Sequence, residues 1–191
     1  MKKINLSSAK TLGIIGFIIL LLLPFFFKRY MSAFIVSLAY YVLVLLALND
    51  ISSKLDKKEI FSNFLTACLV SVIGGLVAII IAIVGGISFL AFSLRGLAGF
   101  LSTSVILYLL LIYAIVVYSA YFVKKTFKDL GEVLNNSYFK TGSDLYFIGA
   151  ILLIVVIGFL LMYVGEIFFL IGFLTMQDEI EIEEHTPQEL V

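Results

Sequence analysis

Five long stretches of this 191-residue chain carry no Asp, Glu, Lys or Arg, a single glutamate in the last of them excepted. They are Thr11–Phe27, Tyr30–Asn49, Ile60–Leu94, Gly96–Val123 and Leu145–Gln177. A helix crossing the hydrocarbon layer needs about 20 mostly apolar residues. Four runs reach that length, and the first sits at the lower edge of the range. None alternates with period two, as a membrane β-strand would. Helices satisfy their own backbone groups in lipid, so the sequence predicts an all-α, polytopic transmembrane helical bundle. Composition agrees: 62% of residues are hydrophobic and 14% charged, against roughly 45–50% and about 25% in soluble domains. The mean hydropathy is +1.17. One cysteine and one histidine leave no material for a disulfide framework or a cysteine- or histidine-rich metal centre.

Lys2 and Lys3 precede the first run, as they would in a secretory signal. Pro24-Phe25-Phe26-Phe27-Lys28-Arg29 lacks a small-residue cleavage site, and another span follows at once. The pair therefore reads as a hairpin turning at Lys28-Arg29. Between Phe64 and Val123, where Arg95 is the only charge, either two or three helices would fit. Short cytoplasmic loops carry the excess of lysine and arginine, and counting decides. With five spans (about 11–27, 30–48, 64–94, 96–123 and 145–176) ten positive charges fall on the N-terminal side and three on the other. With six spans the count is six against seven. The expectation is five spans, the N-terminus cytoplasmic and the C-terminus outside. The bundle fills residues 1–177, and 178–191 form an acidic, disordered tail containing His185.

The loops look ordered. Asp56-Lys57-Lys58-Glu59 has the spacing of a capped helix start. Phe127, Leu130, Val133 and Leu134 extend the fourth helix beyond the bilayer. Asn135-Asn136-Ser137 breaks it, and Ser143 or Asp144 caps the fifth helix.

Small residues recur at helical spacing. Gly74, Ala78, Ala82 and Gly86 lie four apart in the third span; Gly158, Gly165 and Gly172 lie seven apart in the fifth. Such strips let helix backbones approach closely, within one bundle or between copies in a homo-oligomer. Gly74-Gly75 and Gly85-Gly86 could also unwind a helix beside a substrate. Glu166 is the only acid inside a span. A carboxylate at depth costs on the order of 2–3 kcal/mol and needs a partner, a proton or water. It lies roughly 32 Å along a helix from Leu145, which places it in the outer half, on the same side as Arg95. It reads first as an ion-pair or interfacial carboxylate, and second as a proton-coupling or cation-binding acid. Ten tyrosines and no tryptophan supply aromatic belts, with Tyr40, Tyr41 and Tyr146 at the inner interface. Tyr108, Tyr113 and Tyr118 sit deeper.

No span contains Asp. The chain has no Gly-x-Ser-x-Gly, His-Glu-x-x-His or Gly-x-x-x-x-Gly-Lys motif. No catalytic residue, cofactor or metal site is expected, nor a nucleic-acid partner; the expected partner is the lipid bilayer.

Several segments carry a family resemblance. They are Ser7-Ser8-Ala9-Lys10-Thr11-Leu12-Gly13, Asn49-Asp50 with Glu59-Ile60-Phe61-Ser62-Asn63, and Ser119-Ala120-Tyr121-Phe122 onward. The last continues through Phe139-Lys140-Thr141-Gly142 and Ile148-Gly149-Ala150-Ile151-Leu152 to Gly158-Phe159. On these the chain resembles the domain-of-unknown-function 996 family of predicted prokaryotic integral membrane proteins. The resemblance implies architecture and brings no catalytic residue; Glu166 is not among its motifs. The functional expectation is a non-enzymatic membrane scaffold or accessory module. The alternative is a small oligomeric transporter or channel subunit using Glu166 or glycine-broken helices.

Overall fold

The computed structural model describes the backbone of residues 2–26, 30–91, 97–155 and 157–182, and the side chains of 3–22, 36–83, 105–155 and 157–181. The chain is all-α apart from one small sheet. The helices are α1 (Ser7–Phe26), α2 (Tyr30–Lys54), α3 (Lys58–Ala91), α4 (Leu97–Val133), α5 (Ser137–Ile151) and α6 (Ile157–Thr175). A single 3₁₀ turn, Leu152–Ile154, follows α5. Among the described residues, four segments are long and apolar enough to cross a membrane: Val36–Lys54, Lys58–Ile83, Val105–Val133 and Ile157–Thr175. Ser7–Leu22 is a shorter apolar helix.

The helices form a ring. Each packs on the next in chain order, and α6 closes against α1. The ring consists of three successive antiparallel hairpins, α1–α2, α3–α4 and α5–α6. Its core is aromatic. Phe17, Phe64, Phe127, Phe139, Phe169 and Phe173, drawn from five of the helices, are all fully buried. Phe127 stacks on Phe169 with centroids 3.9 Å apart, and Phe17 meets Phe127, Phe169 and Phe173 at 5.7–5.8 Å. Each such pair adds about 0.5–1.5 kcal/mol beyond the area it buries.

The expected fifth span, 145–176, is two helices. The chain reverses at Leu152–Val155, where Val155 N–H donates to the Leu152 carbonyl oxygen at 2.9 Å and Gly158 N–H to that of Val155 at 2.8 Å. Length alone does not dictate the break, since α3 with 34 residues and α4 with 37 run on as single helices. Glycines allow the return. A Cβ on Gly149 would lie 2.6 Å from the Met162 nitrogen and 2.7 Å from the Gly158 oxygen. One on Gly165 would lie 2.9 Å from the Gly142 oxygen. The two backbones thus touch along the hairpin. Asn136, not Ser143 or Asp144, caps α5: its side chain accepts from the Tyr138 N–H at 3.0 Å. Ser143 instead donates to the Lys140 carbonyl oxygen inside the helix.

The hairpin tip is apolar, and Ile154 is 75% exposed. It reaches only partway along α4. The Tyr113 hydroxyl donates to the Ile151 carbonyl oxygen at 2.7 Å, and α4 runs on from Tyr113 to Leu97, about 24 Å further. That hydrogen bond ties α4 to the carbonyl at the junction of α5 and the 3₁₀ turn.

The turn returns the chain to its starting side. β1 (Lys2–Asn5) pairs antiparallel with β2 (Glu179–Ile182), with Ile4 opposite Ile180. Leu6 N–H donates to the Asp178 carbonyl oxygen at 2.7 Å. Lys10 bridges to the Asp178 carboxylate at 3.0 Å and Lys3 to Glu181 at 3.8 Å. The C-terminal strand therefore lies beside the N-terminal one, which corrects the placing of the C-terminus on the opposite side. It also corrects the start of the disordered tail, since residues 178–182 are ordered; 183–191, with His185, lie outside the described residues.

Of the other local expectations, α4 does continue to Val133 and break at Asn135–Asn136. The turn before α3 differs by a residue. Asp56 takes a positive φ of 52°, and Ser52 Oγ donates to the Lys57 carbonyl oxygen at 2.7 Å, so the helix opens at Lys58.

Candidate functional site

The centre of the ring is not filled throughout. Beside the phenylalanine core lies a cavity of about 80 Å³. Its walls come from all six helices: Phe17 and Leu20 of α1, Tyr40 and Tyr41 of α2, Phe64, Ala67, Cys68 and Ser71 of α3, Ser119 and Val123 of α4, Tyr146 of α5, and Glu166 and Phe169 of α6. At ~30 Å³ per water molecule, the space matches two or three waters.

Local structure explains each wall. Phe17 is held between Tyr40 (5.7 Å) and the core rings. Tyr40 packs on Tyr41 at 4.9 Å. Tyr146 is set by the close α5–α6 approach, because Gly165 lies against its backbone nitrogen and Cβ. Glu166, next in sequence to that glycine, is thereby carried to the cavity. Opposite it, Ser71 and Ser119 share a hydrogen bond of 2.8 Å, and Ser119 donates to the Ala67 carbonyl oxygen at 3.1 Å. These two serines tie α3 to α4.

Glu166 is the only charged residue on the walls. Among the described residues no lysine or arginine faces it, and its carboxylate accepts no hydrogen bond. The hydroxyls of Tyr40, Tyr41 and Tyr146 make none either. Lys124, next to the wall residue Val123, bridges to Asp144 at 2.9 Å and lies over the Phe147 ring at 5.0 Å. The cavity is thus a small acidic space with six aromatic side chains around it. Such a space can hold water, a proton on the carboxyl group, or a small cation.

The expected site residues are distributed as follows. Glu166 lies level with Cys68 and Ser71 of α3, not in the far half; the reversal at Leu152–Val155 brings it back toward the termini. Arg95, its expected partner, lies outside the described residues. Gly74 faces Ile115 of α4 and Ala78 is buried, but Ala82 is exposed. The surroundings of Gly86 lie outside the described side chains. α3 is continuous from Lys58 to Ala91, so neither glycine pair breaks it. Gly165 and Gly172 face α5, meeting Gly142 and the Phe139 ring, and Gly158 faces the 3₁₀ turn at Leu152 and Leu153. The sequence reading missed Tyr40, Tyr41 and Tyr146 as neighbours of Glu166. Length gave no signal of the turn, since the equally long run Ile60–Leu94 lies mostly in the unbroken α3.

The described residues form an all-α helical bundle with four segments long and apolar enough to cross a membrane. The chain belongs to the DUF996 family, described as protein of unknown function, whose model matches residues 36–167. It is also 32% identical over 183 residues to an uncharacterized protein of Methanocaldococcus jannaschii, covering 96% of this chain and 99% of that one. No solved structure matches it.

Proposed function

We propose that this is a multi-pass protein of the cell membrane and a non-enzymatic module that takes up a proton or small cation at Glu166, as a small transporter or transporter subunit does. Three things support the membrane. Four helices have the required length and apolarity. Val72, Ile73, Leu76, Ile80 and Ile83 of α3, with Ile106, Leu107 and Leu109 of α4, are each more than half exposed. Water would penalise so large an apolar surface, whereas lipid accepts it. Finally, the lysine and arginine count of ten against three keeps its bias. The α5–α6 hairpin adds no cation to the far side, so the strand pair and basic loops are assigned to the cytoplasm.

The single observation that carries uptake over a scaffold is an acid on the wall of a cavity with no cation facing it. An ionised carboxylate at depth needs a proton, a cation or water. A scaffold needs no such space. The test is proton or cation entry into proteoliposomes under an imposed potassium diffusion potential, followed with an internal pH dye. The wild type should change internal pH faster than protein-free vesicles, and Glu166→Gln should abolish the difference while keeping its helical circular dichroism. Equal rates for folded wild type and variant would remove Glu166 from the function.

A further inference from the structure

We propose that the cavity at Glu166 binds a small organic ammonium ion, methylammonium to dimethylammonium in size. This rests on the reading of Glu166 as a cation site, and names the cation.

The argument is one of matched chemistry. Among the aromatic wall residues Phe17, Phe64 and Phe169 are packed into the core, which leaves the rings of Tyr40, Tyr41 and Tyr146 beside one carboxylate. Cations are drawn to aromatic faces by the ring quadrupole, and cages of aromatic side chains recognise alkylated ammonium groups. The N–H groups of a primary or secondary ammonium are donors. Glu166 supplies the charged acceptor, and the hydroxyl oxygens of Tyr40, Tyr41 and Tyr146, free of other hydrogen bonds among the described residues, supply neutral ones. The methyl groups would meet rings and the apolar Leu20 and Val123. A metal ion fits these walls poorly. Calcium takes six to eight oxygen ligands, and magnesium needs near-octahedral oxygen geometry. Among the described residues no group of three or more His, Cys, Asp or Glu side chains could hold a metal. A bare proton requires no cavity at all.

Size narrows the choice. About 80 Å³, at ~30 Å³ for each water-sized unit, admits two or three heavy atoms. Methylammonium has two and dimethylammonium three. Tetramethylammonium has five and fits less well.

The experiment is binding of methylammonium, dimethylammonium and tetramethylammonium chlorides to the full chain in nanodiscs. Calorimetry provides the readout, with sodium and potassium chloride at equal ionic strength as references. Saturable binding of the two smaller ions, weaker for tetramethylammonium and absent for sodium and potassium, is expected. Glu166→Gln should abolish it. Tyr41→Leu, at a position only partly buried, should weaken it by about 10-fold, and Tyr41→Phe, which keeps the ring, by less than ~3-fold. Circular dichroism melting checks that each variant is folded. Sodium binding as tightly as methylammonium would overturn the proposal, as would tetramethylammonium binding best, or an unchanged affinity in Glu166→Gln. Proton flux that depends on Glu166, without binding of any alkylammonium, would leave the uptake reading standing and sink this one.

Discussion

The hairpin formed by α5 and α6 makes a quantitative prediction about two glycines. A Cβ placed on Gly149 would sit 2.6 Å from the Met162 nitrogen and 2.7 Å from the Gly158 oxygen. Both are backbone atoms, so no flexible side chain can swing away. Ordinary contacts begin at 3.4 Å, and the shortfall of 0.8 Å must be met by moving one helix. That movement also loosens the Gly142–Gly165 contact two turns away. Overpacking of this kind costs about 1–3 kcal/mol. Gly75 is the matched control, because a Cβ there meets nothing within 4 Å. Replacing glycine by alanine in a helix gains up to ~1 kcal/mol of propensity, and that gain applies to both sites. The difference between Gly149→Ala and Gly75→Ala therefore isolates the packing cost. Equilibrium unfolding in mixed micelles, titrated with sodium dodecyl sulfate and followed by circular dichroism, should find Gly149→Ala less stable by about 1–3 kcal/mol. Were 145–176 one straight helix, Gly149 would have no helix folded back upon it. Equal stability of the two variants would refute the hairpin.

Three other outcomes are expected. Phe127→Ala should cost about 3–5 kcal/mol in the same unfolding assay, since Phe127 is fully buried and touches rings from α1, α3, α5 and α6. Tyr113→Phe should lower stability by about 0.5–1.5 kcal/mol, with faster amide exchange confined to the 3₁₀ turn, because the Ile151 carbonyl oxygen loses its donor. Alkylation of Cys68 by a small permeant maleimide should block any uptake, since the thiol lines the same cavity; full uptake by quantitatively labelled protein would count against the cavity as the route.

Much of the fold could be read from the chain, for identifiable reasons. Uncharged runs marked the helices, and Asn135-Asn136 marked the end of α4, because those signals are local. The α5–α6 reversal was hidden because Leu152-Leu153-Ile154-Val155 has none of the Gly, Pro, Asn or Asp that ordinarily punctuates a turn. Charge counting could not see it either, since the reversal places no lysine or arginine on the far side. The site failed with the turn. Tyr40, Tyr41 and Tyr146 meet Glu166 only if α6 comes back down the ring; on a straight fifth helix Glu166 moves to the other half. β2 was obscured differently: Glu179-Ile180-Glu181-Ile182 alternates with period two, a strand signal, but its acidity reads as a solvated tail.

The pairing of β1 with β2 has a kinetic side. Three helical hairpins can assemble one after another as the chain emerges, each from neighbours close in sequence, and such local contacts form fast. The clasp cannot. Lys2–Asn5 is made before Glu179–Ile182 and must wait, with one edge bare, until the six helices between them have been synthesised. The clasp therefore closes only after all six helices exist, and a nascent protein stalled before β2 would lack it.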